Sequence, residues 1–165
     1  MSGQHTLFVG IGSPHGDDQI GWKVADRLRE ASNPCLSIRQ ASTPSQLLDW
    51  LEGVRCLLVC DAFEQLGSAP IIATIHRWEW PTNEIEQVRS TNSHTFGLPA
   101  VLELAAKLGT LPDRVIVLGV PGHQFDAFAD VSLDVELRLP CVVEQVLGEI
   151  EEVMGTMPQG AASHA

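Results

Sequence analysis

Basic side chains are scarce: ten Lys and Arg stand against 21 Asp and Glu, for a formal net charge of −11. A phosphate backbone or an anionic bilayer would meet the wrong field over most of such a surface, so neither nucleic acid nor membrane is expected as a partner. The acids are spread along the chain, reading first as a solvated surface that also suits a partner with a basic segment. Cysteine is sparse too. The four at 35, 56, 60 and 141 form no CxxC pair, and with Cys56 and Cys60 inside an apolar run the thiols read as reduced and structural. Long apolar runs are missing: MSGQHTLFVGIG has no basic leader and is soon broken by glycine, unlike a secretory signal or a membrane span, so a cytoplasmic location is expected. The usual catalytic signatures are missing as well. No GK[ST] follows GIGSPHG, its third glycine is at the wrong offset for a dinucleotide fingerprint, no HExxH occurs, and no Ser-His or Cys-His constellation stands out.

What is present is an ordinary globular composition. The 165 residues are 44% hydrophobic and 19% charged, with four Trp and five Phe, enough for one domain that buries roughly two-thirds of its unfolded surface. Residues 1–155 are read as a single α/β domain, and the small, polar 156–165 as a tail expected to be disordered.

Strand and helix signals alternate. HTLFVGI (5–11) reads as a strand, and Ile20, Val24, Ala25 and Leu28 recur at helical spacing. CLSIRQA (35–41) reads as a second strand. Thr43-Pro44 opens a helix with Leu47, Leu48 and Leu51 on one face. VRCLLVCDAF is a strand buried on both faces, closed by Asp61. PIIATIHRWEW has the mixed polarity of an edge strand, LPAVLELAAKLG is a helix stopped by Gly109, and RVIVLGV is a fifth strand. A last helix runs from Leu133 or Leu139 to Met154, with Val142, Val143, Val146, Leu147, Ile150 and Val153 inward. This order predicts an α/β sandwich on a mostly parallel sheet.

Ligands of such sheets collect beyond the carboxyl ends of the strands. There GIGSPHGDDQIGW places Asp17 and Asp18 after the first strand, and Asp61 ends the third. Strands one and three are expected neighbours, which brings the acids to one rim. Converging carboxylates repel a phosphate and raise one another's pKa unless a cation sits between them. A divalent metal meets that need. Among the six histidines the candidate partner is His94, in the polar turn STNSHTFG before a helix; His15 and His123 are weaker loop competitors, His5 precedes a strand and His164 lies in the tail. Each residue also has an ordinary use: Asp17 as a cap of the first helix, whose N-terminus favours negative charge, Asp61 as a strand-end turn residue, and His94 as a loop histidine.

At these segments the chain resembles the hydrogenase maturation endopeptidases, nickel-dependent proteases that trim the C-terminal extension of the [NiFe]-hydrogenase large subunit. The family's opening motif runs roughly GxGNxxxxDDGxG; here it is GIGSPHGDDQIG. LLVCDAF matches its apolar strand ending in Asp-Ala, SHTFGLPAVLELAAKLG its Ser-His turn entering a helix, and VSLDVELRLPCVVEQVLGEI its terminal helix. The likeness runs in order over nearly the whole chain. It departs in a loop about one residue shorter, in Ser13 where the family has Asn and in Gln19 where it has Gly.

The resemblance implies Asp18, Asp61 and His94 as metal ligands, with Gly12, Ser13, Gly16, Asp17 and Gly21 as the supporting loop. It implies a three-layer α/β/α sandwich on a five-stranded mixed sheet, with one antiparallel strand at 70–78. It further implies a hydrolase acting on peptide bonds, with a hydrogenase large-subunit precursor and its C-terminal tail as partner and nickel supplied by that substrate. Other divalent metals are expected to be accepted at the site. No nucleophile is assigned, and a monomer is expected. Two alternatives stand beside it: an independent divalent-metal hydrolase acting on a small substrate, and a receiver-like phosphoacceptor domain. The second lacks a Lys-Pro after the fifth strand, where the chain has VLGVPGHQF.

Overall fold

Alternate residues of the first apolar run leave the backbone on opposite sides of a sheet. In β1 (His5–Ile11), Leu7, Val9 and Ile11 enter one core while Phe8 enters another, so both faces are apolar and the run reads as nearly continuous. The same holds for β3 (Val54–Glu64), with Leu57 and Val59 on one side and Leu58 and Cys60 on the other, and for β5 (Arg114–Gly122). These features come from a computed structural model that describes residues 5–31, 33–64, 75–81 and 94–156, the side chains of residues 94–96 and 156 excepted.

β2 (Leu36–Ala41), β1, β3 and β5 are mutually parallel, and β4 (His76–Glu79) closes one edge antiparallel to β5, in the order β2-β1-β3-β5-β4. Helices α1 (Ile20–Glu30) and α3 (Leu133–Thr156) cover one face. Helix α2 (His94–Leu108) and a 3₁₀ segment (Pro44–Asp49) cover the other. The layers are those of an α/β/α sandwich with one antiparallel strand.

Three elements differ from the sequence reading. The antiparallel strand occupies 76–79, since pairing to β5 runs only from His76 opposite Gly119 to Glu79 opposite Ile116; residues 70–74 lie outside the described set. The segment after Thr43 is a 3₁₀ coil, fastened at its start where Gln46 Oε1 accepts the N–H groups of Ser42 at 2.6 Å and Thr43 at 3.2 Å; its six residues bury Leu47 without propagating an α-helix. Helix α2 starts at His94, so this residue belongs to the helix itself. The last helix takes the earlier of its two starts and continues through Pro140. Val142, Val146, Ile150 and Val153 are buried, with Val143 and Leu147 packed at their margin. Cys56 and Cys60 are core residues, whereas Cys35 and Cys141 are exposed, and all four are free thiols. Thr156, the first residue of the expected 156–165 tail, ends α3, and residues 157–165, His164 among them, lie outside the described set.

Candidate functional site

β1 ends at Ile11 and the chain turns through a single 3₁₀ turn, Gly16–Gln19, before α1 begins. Gly16 has φ +57°, and a Cβ there would run into the Gln124 carbonyl, so only glycine fits this crossing. Gly21 lets α1 sit directly on the strand ends, where a Cβ would overlap the Ile11 carbonyl and stand 2.8 Å from that of Cys60. Gly12 is similarly confined beneath the Asp18 carbonyl and Trp22. The Ser13 N–H donates to the Asp18 carbonyl at 3.2 Å, which closes the loop on itself.

The two adjacent aspartates have different jobs. The Asp17 side chain is fully buried and accepts four hydrogen bonds from the loop between β5 and α3. Its Oδ2 takes the N–H of His123 at 2.7 Å, the N–H of Gln124 at 3.0 Å and the Ser132 hydroxyl at 3.0 Å, while Oδ1 takes the Ser132 N–H at 2.7 Å. Asp17 therefore does not cap α1, whose N-cap position is Gln19. It clasps two loops together. Around it, the Gly16 N–H and the Gln19 side chain both donate to the Ala129 carbonyl, at 2.9 and 3.2 Å, and His15 Nδ1 accepts the Phe128 N–H at 3.0 Å. His15 and His123, which faces Asp134 at 3.3 Å, are thus engaged within this loop system.

Asp18 and Asp61 form the other arrangement. They are 2% and 5% exposed, and among the described residues neither Asp61 oxygen has a hydrogen-bond partner of good geometry. Burial pushes the Asp61 carboxyl well above the usual carboxylate range, and the charge of nearby Asp18 pushes it further, opposed only weakly by the Ala62 N–H. A buried acid raised by a second buried acid beside it fits a positive ion. Cys60, beside Asp61, is no nucleophile: burial and then the Asp61 charge push its thiol far up, and burial likewise lifts Cys56 to about 11.

Parallel pairing of β1 with β3, Gly10 opposite Cys60, brings Asp18 and Asp61 to the same rim. His94 lies in the first turn of α2, and its imidazole is outside the described side chains. Among the described residues no three His, Cys, Asp or Glu side chains gather as a metal-binding group. The described part of the site is the carboxylate pair.

Sequence reasoning missed the clasp and the state of Ser13, whose buried Oγ has no hydrogen-bond partner among the described residues. The clasp had one local signal. Ser132 precedes the last helix as an N-cap, its hydroxyl receiving the Val135 N–H at 3.4 Å.

No protein-family model matches the chain, and no curated protein matches its sequence. Solved structures do share its fold. The hydrogenase maturating endopeptidase HybD from E. coli aligns at a TM-score of 0.75 and 20% identity over 91% of this chain and 94% of its own. An endopeptidase from Escherichia coli solved in solution gives 0.77 and 20% over the same shares. The [NiFe] hydrogenase maturation protease HybD from Thermococcus kodakarensis gives 0.69 and 18% over 88% and 98%. At these identities the likeness establishes the fold.

Proposed function

We propose that this chain is a hydrogenase maturation endopeptidase, which removes the C-terminal extension of a [NiFe]-hydrogenase large-subunit precursor once nickel has been inserted. The observation that carries the reading is the buried Asp61 carboxylate, unpartnered among the described residues and pressed by Asp18, at the rim of a fold shared over nine-tenths of the chain with proteins of that name. Asp18, Asp61 and His94 are the proposed ligands of the nickel carried by the precursor. Two carboxylates and one imidazole are an incomplete donor set for nickel, so the precursor's own donors complete the shell and affinity depends on metallation. Recognition of the loaded metal and presentation of the scissile bond are then one event. An ion held there would supply Lewis acidity, for polarising the scissile carbonyl or for activating a water. The neighbouring Cys60 thiol, held protonated, takes no part.

The setting supports this division of labour. Asp17 is wholly occupied by loop donors, which leaves Asp18 as the acid turned to the rim. The receiver-like alternative is disfavoured by the antiparallel β4, since the doubly wound sheet of receivers is parallel throughout. The protein is proposed to act in the cytoplasm as a monomer.

The test is incubation with a large-subunit precursor, with and without nickel, read by the precursor's mass. Cleavage is expected only with nickel, and D18A, D61A and H94A each reduce it by about a hundredfold or more while circular dichroism stays native. Nickel-independent cleavage refutes the checkpoint. Full activity of any one variant removes that residue from the site.

A further inference from the structure

Ser13 is 6% exposed, and its hydroxyl, able to donate one hydrogen bond and accept others, meets no partner among the described residues. Unpartnered buried polar atoms are rare in folded chains and commonly mark a place where something else binds. Asp61 carries two more, both its oxygens. These groups lie at one rim: β1 and β3 run parallel with Gly10 opposite Cys60, so Asp61 is one residue past that pair and Ser13 three past it. Ser13 is tied by its own N–H to the Asp18 carbonyl.

The two kinds of unpartnered group are complementary. A carboxylate seeks positive charge, whereas a hydroxyl has a proton to give. A bare proton satisfies Asp61 and leaves Ser13 unmet; a lone water satisfies Ser13 and leaves the acids repelling. A hydrated cation supplies both, its charge facing the acids and its oxygen facing the hydroxyl.

We propose that Ser13 is a positioning residue of the carboxylate site, its Oγ–H donating a hydrogen bond to an oxygen of the hydrated divalent ion seated against Asp18 and Asp61. This rests on the reading of those acids as an ion site. It adds a residue that orients the ion's shell without contacting the metal.

Calorimetric titration of the full-length protein with Ni²⁺ and with Mn²⁺ tests it, with D61N, S13A and S13T alongside and circular dichroism recording the fold. Wild type binds, D61N does not, S13A binds about tenfold more weakly and S13T returns to within about threefold of wild type. Wild-type affinity in S13A, with D61N inert, overturns the role of Ser13 and leaves the ion site standing. A loss in S13A that S13T does not repair also overturns it, because a packing defect then explains the change. Binding by D61N equal to wild type, or none by wild type, removes the ion site and this inference with it.

Discussion

Asp17 and Asp61 are the same residue type at nearly the same depth, yet their surroundings demand opposite things of them. Asp17 satisfies four donors; among the described residues Asp61 has only the weak approach of the Ala62 N–H. Replacing Asp17 by Asn turns an NH₂ toward donors that need an acceptor, and a cost of about 2–3 kcal/mol is expected. Asp61 moves the other way. Its folded-state pKa is raised by burial and by Asp18, so the folded chain holds a proton that the unfolded chain has already released. Between the ordinary carboxylate range and that raised value, stability falls as pH rises. Without metal, D61N removes this slope, because a buried amide costs less than a buried charge. Its unfolding temperature should exceed that of wild type by a few degrees, the gap widening as pH rises above the ordinary carboxylate range. Thermal scans in chelator check both. A parallel pH dependence of D61N and wild type, or a neutral D17N, contradicts the division of roles.

The site is aimed by one close contact between elements, Gly21 of α1 against the carbonyls of Ile11 in β1 and Cys60 in β3. Both obstacles are backbone, so neither can rotate away. G21A must lift α1, and with it the turn carrying Asp18, from the strand end carrying Asp61. A loss of about 3 kcal/mol or more in urea unfolding is expected, together with weaker divalent-ion binding by whatever remains folded. Stability and binding equal to wild type would show that the approach is looser than described. Such contacts also explain what the sequence could reveal. β1, β3 and β5 were legible because burial on both faces writes continuous apolar runs, and α3 because Val142, Val146, Ile150 and Val153 keep helical spacing. The segment after Thr43 misled, since Leu47, Leu48 and Leu51 imitate an α-helical stripe in a piece too short to propagate one. The division between Asp17 and Asp18 was hidden from local pattern: the donors that hold Asp17 lie 106 to 115 residues away. The start of α2 at His94 was equally obscured, because the polar turn before Leu98 carries no apolar periodicity.

The excess of acid must act on any partner. Helix α3 carries six of the acids and a single cation, Arg138, which is paired with Asp134 of the same helix at 3.1 Å. Its N-terminal end adjoins the site through Ser132, held on Asp17. A precursor tail bearing Lys or Arg is therefore drawn toward this end by a field that salt weakens, with a screening length of about 10 Å at 0.1 M and about 3 Å at 1 M. The attraction favours encounter and binding and leaves the bond-breaking step alone. Raising ionic strength from about 0.05 M to about 0.5 M should thus increase KM for precursor cleavage several-fold with kcat nearly constant. A precursor whose tail lysines and arginines are replaced by glutamine should start at the higher KM and lose the salt response. A KM independent of salt for the native tail would assign the negative charge to solvation alone, whereas a kcat that falls with salt would mean that screening reaches the buried carboxylate pair.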